Sequence, residues 1–158
     1  MAGTPSIRTC RLADEAATAA LAARLAAMAR PRDVLALWGD LGMGKTRFAR
    51  AFIVARAGAP VEVPSPTFTL VQTYDLPGGP VWHFDLYRLG NPEDIWELGW
   101  EEALAEAIVL VEWPARLGEF LPADRLDVTL DAGPRPEART ARLEGHGDWI
   151  DRLERADV

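Results

Sequence analysis

The chain has 158 residues, of which 49% are hydrophobic, and this length and composition fit one globular domain with a sizeable core. Its formal net charge of −7 and pI near 4.8 argue against a surface that grips a nucleic-acid backbone, because such binding relies on many lysine and arginine contacts. The single cysteine, Cys10, excludes an intrachain disulfide, and no stretch approaches the roughly 18 apolar residues that span a bilayer, so the cytoplasm is the expected location.

The hydrophobic pattern predicts strands that alternate with helices. In chain order we expect an edge strand at 6–12, a helix capped by Asp14 and running to 28, a buried strand at 34–38, a helix at 46–57, a hairpin of strands 67–74 and 81–87, helices at 92–98 and 101–107, a second apolar strand at 108–111, edge or hairpin strands at 125–130 and 139–143, and a terminal helix at 149–155. Wholly apolar runs such as 34–38 and 108–111 are typical of strands covered on both faces of a sheet.

The segment between the first apolar strand and the next helix matches the phosphate-binding pattern GxxxxGK[ST]. Its residues are Gly39, Asp40, Leu41, Gly42, Met43, Gly44, Lys45 and Thr46. The glycines let backbone N–H groups form a concave nest for phosphate oxygens, and the following helix adds its N-terminal dipole. Lys45 is the only lysine beside 16 arginines, and its compact ammonium can reach the β- and γ-phosphates. The Thr46 hydroxyl is the expected Mg²⁺ ligand.

Strand, loop and helix therefore stand in the order that a nucleoside triphosphate site requires. The predicted fold is α/β, a P-loop NTPase three-layer sandwich with a mainly parallel central sheet and antiparallel hairpin or edge strands. We expect it to form a single domain over residues 1–158.

Three further polar residues are candidates for chemistry at the phosphates. Glu112 follows the second apolar strand directly, at the strand end where ligands of open α/β sheets bind, so we expect it to bind Mg²⁺ directly or through water; the alternative is an exposed strand-end carboxylate. Asp85 orients the attacking water, bonds to a ligand of the metal, or makes a structural hydrogen bond to a neighbouring loop. Thr67 either senses the γ-phosphate from a loop or simply begins a strand.

The remaining residues near these positions allow a plainer interpretation. Strand alternation places His83, Asp85 and Tyr87 on one face, which we predict to be a polar surface opposite a core face. His83 is interpreted as a structural histidine without a catalytic role. Trp113 either covers the site or packs in the core, and the burial typical of tryptophan favours the core.

Several distinctive blocks accompany the phosphate loop and together resemble the bacterial TsaE family, the small ATPase of tRNA threonylcarbamoyladenosine biosynthesis. The blocks are GDLGMGKT, SPTFTLVQTYDL, HFDLYRL with NPEDIWELG, and VEWP, and their order and spacing hold from about Leu12 to Leu143. The chain departs from the family pattern at Met43, where the family usually has alanine, and at Arg47.

The resemblance implies an ATPase that uses ATP and Mg²⁺ and works with the TsaB and TsaD proteins. It implies a role in attaching a threonylcarbamoyl group to adenosine 37 of tRNAs that read codons beginning with A, without transferring the group itself. By similarity, Thr46 and Glu112 fall on magnesium positions, and Asp85 and Trp113 on positions linked to activity. Arg139 matches an arginine near the nucleotide, and Glu15 lies in a segment near the base. tRNA is then contacted only indirectly, which agrees with the acidic charge.

Other classes of protein share the phosphate loop. A small-molecule kinase is one alternative, although the middle of the chain is predicted to be a hairpin and an acidic helix instead of an arginine-bearing lid. A GTPase would need a second lysine for the guanine-reading NKxD motif, and Lys45 is already used. A binding switch without significant catalysis is the third alternative.

Overall fold

The computed structural model describes residues 3–158, which form seven strands and four α-helices. In chain order the elements are β1 (Ser6–Leu12), α1 (Glu15–Met28), β2 (Val34–Trp38), α2 (Lys45–Ala57), β3 (Val71–Leu76), β4 (Gly79–Asp85), a 3₁₀-helix (Pro92–Leu98), α3 (Trp100–Glu106), β5 (Ile108–Glu112), a second 3₁₀-helix (Pro114–Phe120), β6 (Leu126–Ala132), β7 (Arg139–Gly145) and α4 (Asp148–Arg155). Among residues 3–158, every helix is too short or too polar to span a lipid bilayer.

The strands form one mixed sheet in the order β1-β7-β6-β2-β5-β4-β3. The pairs β6–β2, β2–β5 and β5–β4 are parallel, so the centre of the sheet is parallel, and the outer pairs are antiparallel. The predicted α/β fold with a mainly parallel centre is thus confirmed. Because β2, β5 and β4 run in the same direction, their carboxyl ends lie together at one edge of the sheet.

Side chains of the central strands alternate between two cores, which makes the fold a three-layer sandwich. Leu35 and Leu37 of β2 point into the core formed with α1, α2 and α4, whereas Val34 and Ala36 point into the core formed with α3 and the 3₁₀-helices. All four side chains are at most 2% exposed, as expected for a strand covered on both faces.

The predicted helix boundaries are close to the observed ones because local capping sets them. The Asp14 side chain accepts a hydrogen bond from the Ala17 N–H at 2.8 Å and caps α1. Gly58 ends α2 in the left-handed conformation, with φ of 68°. Asn91 is the N-cap residue of the first 3₁₀-helix, and Gly99, also left-handed, separates that helix from α3.

The predicted hairpin exists, but its strands are shifted. Strand β3 begins at Val71 instead of Thr67, because Leu70 adopts a positive φ of 67° that an extended strand excludes. The antiparallel ladder continues to the pair Leu76–Gly79, so the turn is shorter than the predicted loop at 75–80. The stretch from Thr67 to Leu70 is therefore a turn beside the carboxyl end of β4.

The topology confirms one of the two alternatives expected for the last two strands and corrects an expectation about β4. Strands β6 and β7 form the predicted hairpin, yet neither lies at an edge, because β2 flanks β6 and β1 flanks β7. The face of β4 predicted to be a polar surface is buried: His83 is 0% and Asp85 4% exposed, and only Tyr87, beyond the strand end, is exposed. The α1–α2 layer covers this face, which the alternation pattern of β4 alone cannot show.

Candidate functional site

The phosphate loop joins the carboxyl end of β2 to the first turn of α2. Gly39, Gly42 and Gly44 have φ values of 142°, 84° and 100°, in the region that favours glycine. A Cβ atom on Gly39 would lie 2.6 Å from the Leu130 carbonyl oxygen, so close packing against β6 also requires glycine there. The loop therefore has the backbone geometry of an anion nest at a helix N-terminus.

Lys45 is the first residue of α2, and its side chain folds back along the loop. Its Nζ donates hydrogen bonds to the carbonyl oxygens of Gly39 and Asp40, the latter at 3.1 Å, and lies 3.9 Å from the centre of the Trp113 ring. Burial lowers the pKa of Lys45 below its ordinary value, while the Glu112 carboxylate acts in the opposite direction. The ammonium is thus held in a partly desolvated position beside acids.

Glu112, the last residue of β5, contacts both α2 and β4. It is only 2% exposed; its Oε1 accepts a hydrogen bond from the Thr46 hydroxyl at 2.8 Å, and its Oε2 lies 2.7 Å from His83 Nε2. In the parallel register Glu112 is opposite Leu37 of β2 and Asp85 of β4, which brings the strand-end residues together. The predicted neighbourhood of Thr46 and Glu112 is therefore present in the fold.

Asp85 is held by the turn that precedes β3. Its Oδ2 accepts a hydrogen bond from the Thr67 hydroxyl at 3.1 Å, and its Oδ1 accepts one from the Tyr87 N–H at 3.1 Å. The Thr67 hydroxyl also lies 2.7 Å from that of Ser65. Asp85 thus makes the loop hydrogen bond considered for it, and Thr67 belongs to a loop instead of starting a strand. Both residues face the same cavity as Lys45.

These groups line a cavity of about 570 Å³ next to the loop. Its walls are Glu15, Thr18, Ala19, Leu41, Gly42, Met43, Gly44, Lys45, Thr46, Arg47, Thr67, Asp85, Tyr87, Glu112, Trp113, Glu137 and Arg139. All of the predicted site residues are in this set except Gly39 and Asp40, whose main-chain carbonyl oxygens accept hydrogen bonds from Lys45 Nζ. Pockets of this size hold small-molecule ligands in proteins.

The two residues assigned only by resemblance line the cavity, and each has a protein partner. Glu15, at the start of α1, forms an exposed ion pair with Arg47 of α2. The Arg139 guanidinium donates to the Met43 carbonyl oxygen at 2.9 Å and to the Gly42 carbonyl oxygen at 3.4 Å. Arg139 therefore ties β7 to the phosphate loop.

The residue type of Trp113 favoured a position in the core, but the side chain lies there only in part. The residue is half-buried, adopts a left-handed backbone with φ of 58°, and lines the cavity while packing partly against the second core. Its ring centre lies 5.0 Å from that of Tyr87. The two aromatic rings and Lys45 together form one wall of the site.

Sequence reasoning did not predict the buried contact of His83 with Glu112, nor five wall residues. The wall residues are Thr18, Ala19, Arg47, Tyr87 and Glu137. A signal for His83 was available, since it lies two positions before Asp85 and strand alternation places both on one face. The wall residues come from elements far apart in the chain, which their local sequence does not indicate.

Comparison with known proteins identifies the family. The sequence profile described as "Threonylcarbamoyl adenosine biosynthesis protein TsaE" matches residues 12–141. The TsaE protein of Rickettsia conorii is 43% identical over 121 residues, which cover 77% of this chain and 69% of that protein. The TsaE protein of Bacillus subtilis is 40% identical over 114 residues, covering 72% and 70% of the two chains.

A solved structure agrees with the sequence matches. The crystal structure of Bacillus subtilis YdiB superposes with a TM-score of 0.77 and 28% identity, covering 96% of this chain and 93% of that one. The likeness therefore extends over nearly all of the fold. The chain belongs to the TsaE family of threonylcarbamoyl adenosine biosynthesis proteins.

Proposed function

We propose that this protein is a magnesium-dependent ATPase that supports threonylcarbamoylation of adenosine 37 in tRNAs reading codons that begin with A. In this proposal it acts in the cytoplasm with TsaB and TsaD, cycling their complex without transferring the group itself. The observation that carries the proposal is the 2.8 Å hydrogen bond between Thr46, on the phosphate loop, and the buried acid Glu112. Family membership supports the pathway.

The residues present fit a magnesium–nucleotide complex. Thr46 and Glu112 offer hydroxyl and carboxylate oxygens, the ligand type that Mg²⁺ prefers, next to a loop whose backbone suits phosphate. When bound, magnesium neutralises negative charge on the phosphates during cleavage. Glu112 and Thr46 would hold it, either directly or through water.

The other side chains have roles that follow from their contacts. The Lys45 ammonium binds phosphate oxygens in place of its present carbonyl partners. Asp85, oriented by Thr67 and the Tyr87 N–H, positions the attacking water. The aromatic side chain of Trp113 limits the access of bulk water to this wall of the cavity.

The net charge supports an indirect relation to tRNA. A protein with a formal net charge of −7 repels a phosphodiester backbone at long range, so the output of the ATP cycle is expected in protein partners.

The test is ATP turnover by the purified protein, alone and with a TsaB–TsaD complex, in parallel with Lys45→Ala. We expect slow hydrolysis alone and stimulation by the complex. Lys45→Ala should abolish turnover and weaken ATP binding by about tenfold or more, because hydrogen bonds to charged groups contribute about 1.5–3 kcal/mol. Absence of stimulation would contradict the assigned role, and ATP binding without hydrolysis in all conditions would establish a binding switch instead.

A further inference from the structure

His83 occupies an unusual position for a histidine with only a packing role. It lies within β4, is 0% exposed, and places Nε2 2.7 Å from Glu112 Oε2. Its other ring nitrogen, Nδ1, has no hydrogen-bond partner within residues 3–158. Buried polar atoms are normally hydrogen-bonded. The contact between Nε2 and Glu112 is therefore the main polar interaction of the His83 ring.

The contact with His83 restrains the Glu112 carboxylate, which also accepts a hydrogen bond from Thr46. Glu112 Oε1 accepts the Thr46 hydroxyl at 2.8 Å, so both carboxylate oxygens are held by donors on different elements. Without the His83 N–H, the carboxylate would be anchored at Oε1 alone and could rotate about its terminal torsion, which is soft. A hydrogen bond at each carboxylate oxygen holds the Glu112 side chain in a single orientation.

That orientation also sets the direction of the Thr46 hydroxyl. The hydroxyl has one hydrogen, and Glu112 accepts it, so its lone pairs point away from the acid. Those lone pairs are the atoms available for a cation. Outer groups that orient metal ligands in this way tune metal affinity without touching the metal.

We propose that His83 is a positioning residue that holds the Glu112 carboxylate in the orientation required for magnesium-dependent nucleotide binding. The inference rests on the proposed function, since it concerns the same magnesium position. His83 acts through Glu112 and does not contact nucleotide: it does not line the cavity, whereas Glu112 does.

Two substitutions of similar polarity separate positioning from packing. In His83→Gln the side-chain amide nitrogen reaches the place of Nε2 and can donate to Glu112, whereas in His83→Asn it reaches only the place of Nδ1, which has no partner. His83→Met fills the volume without a donor and replaces the Asn variant if that variant does not fold.

The readout is the affinity for a fluorescent ATP analogue, measured without magnesium in EDTA and across a magnesium titration, with thermal unfolding of each variant. For His83→Asn we expect the half-saturating magnesium concentration to rise by about tenfold or more, with metal-free affinity unchanged. His83→Gln should stay within about threefold of the original protein.

Each other outcome has a distinct meaning. If the original protein shows magnesium-dependent affinity and His83→Asn or His83→Met shows the same dependence, the positioning role is overturned. A shift of equal size in His83→Gln and His83→Asn would overturn it as well, because a packing role would not distinguish them. If the affinity of the original protein does not respond to magnesium, the proposed function itself fails, and the inference fails with it.

Discussion

Replacing the buried acid Glu112 by glutamine should separate the chemistry of the site from the stability of the fold. The amide has nearly the shape of the carboxylate but no charge. It can turn its oxygen toward His83 and its nitrogen toward the Thr46 hydroxyl, which can then accept, so both present contacts keep a hydrogen-bond partner. The folded structure should survive this change.

The expected change in the free energy of unfolding follows from those two contacts. Hydrogen bonds to charged groups contribute about 1.5–3 kcal/mol and neutral ones about 1 kcal/mol, so each contact weakens by about 1 kcal/mol. Removing a charge from a residue that is 2% exposed offsets part of this loss. Glu112→Gln should therefore lower the free energy of unfolding by less than about 2 kcal/mol.

The effect on catalysis should be much larger. Under the proposed function, the loss of one charged oxygen at the position of Glu112 is expected to raise the barrier by about 3 kcal/mol, which lowers turnover about 150-fold. The assays are ATP hydrolysis in the presence of a TsaB–TsaD complex across a magnesium titration, and urea unfolding of the same preparations.

A matched control is Asp127→Asn, which makes the same carboxylate-to-amide change in a buried network outside the cavity. Asp127 accepts hydrogen bonds from Trp38 and Arg125 at 2.8 Å each, and lies 3.0 Å from the Nε2 of His146. This variant should lose stability while the folded fraction retains its turnover. Normal magnesium-dependent hydrolysis by Glu112→Gln would refute the metal role and transfer it to Asp85.

Two further predictions concern the loop and the lone thiol. Gly39→Ala should lower the free energy of unfolding by more than Gly58→Ala does. Both substitutions strain a residue with positive φ, at a cost of about 1–2 kcal/mol, but only Gly39→Ala places a Cβ atom 2.6 Å from the Leu130 carbonyl oxygen. Equal losses of stability in urea unfolding would contradict this contact. Burial raises the pKa of the Cys10 thiol, so at pH values below the pKa of an ordinary thiol its thiolate fraction is smaller and its alkylation should be slower than that of a free cysteine peptide. Equal rates in that pH range would contradict this.

How far the site could be predicted depends on how local each feature is. The phosphate loop is contiguous, so glycine spacing and one lysine were enough to predict Lys45 and Thr46 as nucleotide-site residues. The place of Glu112 at the cavity was also predictable, because a wholly apolar run implies a central strand, and the carboxyl end of such a strand is the usual ligand-binding edge of an open α/β sheet. The partners of these residues were not predictable in the same way.

The contact between His83 and Glu112 shows why such partners could not be predicted from the sequence. Alternation along β4 put His83 and Asp85 on one face but could not show that the α1–α2 layer covers it, so the face was wrongly predicted to be a polar surface. The contact with Glu112 joins residues 29 positions apart, and it exists because β4 and β5 are parallel neighbours in a particular register.

The sequence by itself determined the elements that depend on neighbouring residues: the phosphate loop, the helix caps and the buried central strands, and with them the family. Only the tertiary structure decided the strand order, the burial of β4 and the hydrogen-bonded chain from Thr46 through Glu112 to His83. Local preferences act over a few residues, whereas strand register and layer packing depend on contacts made across the whole chain.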